Sequence, residues 1–66
     1  MKPKYPNITV QLSGHDGYAF AILGTVTEAM RRAGVSEEER TAFYNEATSG
    51  DYDHLLQTAM ETVNVE

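Results

Sequence analysis

"NITVQLSGHDGYAFAILG", residues 7–24, carries two hydrophobic periods that meet at a glycine-flanked turn. In Asn7–Leu12, the apolar residues Ile8, Val10 and Leu12 alternate with Asn7, Thr9 and Gln11, the period-2 pattern of a half-buried strand. Ser13-Gly14-His15-Asp16-Gly17 ends the alternation. From Tyr18 to Ala33 the period is helical. At about 100° per residue, Ala19, Ile22, Leu23, Val26, Ala29, Met30 and Ala33 fall within an arc of roughly 120°. A strand feeding directly into an amphipathic helix places the chain in the α+β class.

Outward from this stretch, Pro3 and Pro6 keep the preceding residues extended. Glu28 lies four residues before Arg32, the favourable order for a helical ion pair, and Gly34 suits a left-handed helix terminus. Ser36-Glu37-Glu38-Glu39 predicts a capping box, the serine accepting from the Glu39 amide and Glu39 reaching back to the serine amide. The second helix runs to about Thr48 on a thin stripe, Phe43 and Ala47 with Tyr44 at its edge. After Ser49-Gly50 a third helix is expected to bury Tyr52, Leu55, Leu56, Ala59, Met60 and Val63, with His54, Gln57, Thr58, Glu61 and Thr62 opposite. Val63-Asn64-Val65 alternates again as a short strand. A lone strand leaves its backbone groups without ladder partners, so residues 8–12 must pair with residues 63–65 or with a second chain. The expectation is a single small domain, residues 1–66, with one N-terminal strand followed by three helices.

Sixty-six residues bury only about 60% of the surface of the unfolded chain, so the fold gains from any further surface it can cover. The absence of cysteine excludes disulfides, thiolate zinc sites and cysteine nucleophiles as ways to staple or use the fold. Self-association or a protein partner is the remaining route. Ten acidic residues against five basic ones give a net charge of −5, which disfavours nucleic acid and anionic membranes as partners. No apolar run of membrane-spanning length or leader type is present, so a soluble cytoplasmic protein is expected.

Three segments, "VQLSGHDGYAFAILG", "RRAGVS" and "EATSGDYDHLLQTAM", resemble a family of short uncharacterised proteins from bacteria and their phages. The resemblance spans nearly the whole chain. Two positions depart from the family pattern: Tyr18 stands where asparagine is usual, and Thr62 where tryptophan is usual. The family carries no established activity, so the resemblance implies a real fold and no function.

Residues with chemistry to offer cluster at two helix starts. Gly14 and Gly17 after a strand suggest a phosphate cradle, but the G-x-x-G spacing lacks the Walker lysine, and Asp16 would meet an incoming anion. Asp16 is better read as the N-cap of the first helix. His15, Asp16, Asp51, Asp53 and His54 could form a metal or acid–base site if the His15 loop folded against the third helix. Only Asp51 and His54 have workable spacing, and Asp51 reads as an N-cap, with Gly50 supplying the turn and His54 on the exposed face. No G-x-S-x-G elbow is present, and a third helix with Asp53 and Glu61 but no Lys or Arg has the wrong charge for reading DNA. Tyr5, Tyr18, Tyr44 and Tyr52 sit at segment starts or stripe edges, where tyrosine serves either as a core rim or as an interface residue. The functional expectation is a non-enzymatic binding or regulatory module working through protein contact, such as a phage-type inhibitor or adaptor, without cofactor or metal. Its candidate surface comprises His15, Asp16, Tyr18, Tyr44, Asp51, Tyr52, Asp53 and His54, and a homodimer through its strand edge is a further expectation. The alternative is a small metal-dependent or acid–base enzyme using His15, Asp51 and His54.

Overall fold

Two strands distant in sequence, β1 (Tyr5–Val10) and β2 (Val63–Val65), pair in parallel, and three helices lie between them in the chain. These are α1 (Ala19–Arg32), α2 (Glu37–Ala47) and α3 (Tyr52–Thr62). The computed structural model describes residues 3–11 and 19–66. The expected turn residues Ser13–Gly17, the Asp16 cap, Leu12 and Tyr18 lie outside the described residues.

The chain therefore pairs residues 63–65 with its own first strand. Parallel neighbours cannot be joined by a hairpin and need a long crossover, which the three helices provide. The ladder is closed at one end by Lys4 N–H donating to the Glu61 carbonyl at 2.8 Å, and at the other by Glu66 N–H donating to the Val10 carbonyl at 2.9 Å. The strand begins earlier than its alternation suggested and takes in Pro6. Pro6 falls within the register break between Tyr5 and Thr9, and the Asn64 side-chain amide donates to its carbonyl. A missing N–H is tolerated at such an irregularity.

The alternation holds where it matters: Ile8 and Val10 are buried, and Asn7 and Thr9 are exposed. Ile22, Leu23, Val26 and Met30 of α1 form the largest share of the core, joined by Phe43 and Ala47 of α2, Leu55 and Ala59 of α3, and Val63. α1 ends as its sequence indicates. Glu28 is paired with both Arg31 and Arg32, and Gly34 has φ of 87°, the left-handed conformation that favours glycine. No helix among the described residues is long and apolar enough to cross a membrane.

Two local expectations are corrected. Ser36 caps α2, its hydroxyl accepting from Glu39 N–H at 3.2 Å, but Glu39 does not complete the capping box. Its carboxylate instead accepts from Lys4 Nζ at 3.0 Å and the Tyr5 hydroxyl at 3.2 Å, tying α2 to β1. The buried face of α3 is also rotated from the apolar arc. Leu55, Thr58 and Ala59 are buried, while Tyr52 and Met60 are 40% and 54% exposed. Thr58 can be buried because its hydroxyl donates back to the His54 carbonyl at 2.8 Å.

The Glu39 carboxyl is held below its ordinary value of 4.5, first by the hydrogen bond from Lys4, then by the Lys4 charge and the Tyr5 hydroxyl. A depressed carboxylate stabilises the fold above its unfolded pKa, and that contribution is lost as pH falls through the lowered folded value. Glu39→Gln should therefore be less stable than wild type at neutral pH, and denaturant titrations should show the difference closing in acid. A difference that persists unchanged in acid would mean the pair contributes nothing that titrates.

Candidate functional site

The stretch Glu46–Thr58 forms the joint between α2 and α3, and most of its polar side chains bond within the joint. α2 ends with no basic residue and no left-handed glycine to satisfy its last carbonyls. Thr48 Oγ1 donates to the Tyr44 carbonyl at 2.8 Å, and Ser49 Oγ to the Glu46 carbonyl at 2.7 Å. Across the turn, Asp51 Oδ1 accepts from His54 N–H at 2.9 Å, the N-cap its position predicts.

His54 completes the joint. Its Nε2 lies 2.9 Å from the Glu46 carbonyl, 2.9 Å from Glu46 Oε2, 3.2 Å from Ser49 Oγ and 3.5 Å from Thr58 Oγ1. Both Glu46 oxygens accept, so Nε2 is the protonated ring nitrogen and donates toward the C-terminus of α2. The half-buried imidazole does not stand free on a polar face, as the sequence suggested; it caps the preceding helix. Gly50 is required by this arrangement rather than by a left-handed turn. Its φ is not positive, but a Cβ there would lie 2.9 Å from His54 Cγ and 3.0 Å from His54 Cβ.

A serine, a histidine and a glutamate within hydrogen-bond reach invite comparison with a hydrolytic triad. In a triad the acid orients the imidazole through one ring nitrogen while the other takes the serine proton. Here Glu46 and Ser49 both converge on Nε2, so the ring has no separate face for each task. Asp51 engages the backbone of His54 rather than its ring. Among the described residues, no three His, Asp or Glu side chains come close enough to share a metal ion. His15, Asp16 and Tyr18 lie outside the described residues. Spacing does not reveal Glu46 and Ser49 as partners of His54, because they lie across a turn from it and the period of one helix carries no information about the next.

The remaining candidates are surface residues. Asp53 is exposed in the first turn of α3, and Tyr44 is 41% exposed on α2. Tyr52, Leu56 and Met60 are spaced by four, so they advance by only about 40° per step around α3 and form a ridge beside its buried face. Leu56 touches the core from its edge, while Tyr52 and Met60 stand out from it. A groove of about 380 Å³ lies between Tyr5, Glu39, Phe43 and Thr58. No family model matches the chain, and neither does any curated protein or solved structure.

Gly50→Ala should destabilise the fold by about 1–3 kcal/mol, the usual effect of forcing a methyl into an occupied space. In a His54→Ala background the same change should cost less, though not nothing, because alanine removes the ring and keeps the Cβ that the new methyl meets at 3.0 Å, a non-additivity read from denaturant melts of the four proteins. Additive effects would show that the ring does not rest on Gly50. Asp51→Ala should lower stability by about 1 kcal/mol in the same assay through loss of the cap; an unchanged midpoint would remove that role.

Proposed function

We propose that the chain is a non-enzymatic binding or regulatory module whose recognition surface is the α3 ridge of Tyr52, Leu56 and Met60. The observation that carries this reading is that part of the apolar arc of α3 stays outside the core, with Tyr52 and Met60 exposed. Apolar side chains spaced by four are the anchors by which a helix docks into a hydrophobic groove. Single exposed apolar residues are ordinary on protein surfaces. Three in register along one helix form a continuous edge, and tyrosine and methionine are both enriched at interfaces.

The partner is a protein with an apolar groove and a basic rim. Asp53 neighbours the ridge, α2 begins with Glu37, Glu38 and Glu39, and the chain carries a net charge of −5. An acidic rim speeds encounter with a basic surface and selects against acidic ones. An inhibitor or adaptor of the phage type, acting in the cytoplasm, belongs to this class, as does self-association through the strand edge. An enzymatic role for Asp51 and His54 finds less support, because both are engaged in capping.

Affinity capture from a native lysate should return a stoichiometric partner with wild type, and the captured pair should weaken as salt is raised. Met60→Asp, a change at an exposed position, should lower affinity tenfold or more with the circular-dichroism melt preserved. Capture of no partner, or a partner held equally by Met60→Asp, would overturn the reading.

A further inference from the structure

β1 uses one edge for β2, and among the described residues nothing pairs with the other. The Pro6 and Val10 carbonyls both turn toward β2, one to the Asn64 side chain and the other to the Glu66 amide. Backbone groups alternate between the two edges of a strand, so those of Thr9, beside Val10 and past the register break, face away from β2. No described residue outside the sheet bonds them. Pro6 does not shield this edge, because its carbonyl lies on the β2 side. Residues 7–11, Asn-Ile-Thr-Val-Gln, also lack the charges that natural edges use to repel an added strand.

Along this edge runs an open groove of about 720 Å³ between residues 7–11 and α1. Thr25, Ala29 and Ala33, one turn apart, give its helical wall a low profile, and Glu28 and Arg32 stand beside them. α1 thus extends past the two-stranded sheet and offers a surface on which a third strand could rest.

We propose that a second copy of the chain fills this groove, the two β1 strands pairing antiparallel about a two-fold axis to give a four-stranded sheet, β2-β1-β1-β2. The charge pattern selects this occupant. The groove holds one acid and one base, Glu28 and Arg32, a helical turn apart on the same helix and paired with each other at 3.2 Å, so an axis between two copies would exchange this pair for one across the interface. A two-fold axis runs the two α1 helices antiparallel and sets each Glu28 against the other copy's Arg32, the self-complementarity that an isologous interface requires. A foreign acidic or basic segment would meet one charge of each sign and gain no selection. Elsewhere the chain is acidic, so two copies repel each other least where the surface carries no net charge. The groove lies on β1 and α1 and shares no residue with the α3 ridge, so this proposal and the partner reading stand or fall separately.

Light scattering with sedimentation velocity on the full chain tests it. Wild type should have twice the monomer mass. Glu28→Arg and Arg32→Glu should each weaken the dimer tenfold or more, because like charges then face each other across the axis. An equimolar mixture of those two variants should restore the dimer, since one chain then presents two basic residues and the other two acidic ones. Thr9→Pro, which removes an outward N–H, should also be monomeric. Circular dichroism should show both charge variants folded, since their changes are on exposed or half-exposed positions. A wild-type monomer at millimolar concentration overturns the proposal. So does a dimer that survives all three substitutions, or a mixture of the charge variants that stays monomeric.

Discussion

The parallel contact between β1 and β2 is the constraint on which the other elements depend. Because the strands run the same way, the chain must cross from the end of one to the start of the other, and α1, α2 and α3 are that crossing. The contact also sets which side chains the sheet gives to the core: Ile8, Val10 and Val63 are buried against the helices. The ladder itself is short, with β2 only three residues long, and a pair of strands alone is marginal in water. Its persistence comes from the helices packed on it and from Glu39, which reaches from α2 to Lys4 and Tyr5 at the start of β1.

How much of this was legible in the sequence varies with the range of the interaction involved. The class, the three helices and both strands follow from changes of hydrophobic period, and the Ser36 and Asp51 caps follow from contacts three residues away. The same locality explains the misses. Glu39 has the spacing of a capping-box residue, yet its carboxylate goes to side chains 34 and 35 residues away. On α3 the apolar arc is wider than the surface the core can cover. Which part is buried depends on where α2 and the sheet lie, so Thr58 enters and Met60 stays out. Periodicity records which residues could be buried; only packing decides which of them are.

The joint between α2 and α3 shows how composition can imitate a catalytic centre. Glutamate, serine, aspartate and histidine within nine residues have the right chemistry for a site, and three of them do meet. Their geometry serves a different need. A helix end leaves carbonyls without partners, and here two hydroxyls and one imidazole N–H supply them. The distinction rests on the ring nitrogens: a relay needs both, whereas a cap needs one. That difference cannot be seen in spacing, since it arises only when the turn at Gly50 lays the ring across the end of the preceding helix.

The two unfilled surfaces differ in chemistry, and the difference suggests separate uses. The groove beside β1 offers directional backbone groups and balanced charge, which suits a copy of itself. The α3 ridge offers apolar side chains on an acidic chain, which suits a basic-rimmed groove on another protein. A two-fold dimer built through β1 would leave both copies of the ridge unused by the dimer contact, and so available together. Against a partner that is itself oligomeric, the second ridge would bind intramolecularly, and a modest contact at each would hold far more tightly than either alone. Doubling a small contact in this way would strengthen binding without any enlargement of either interface.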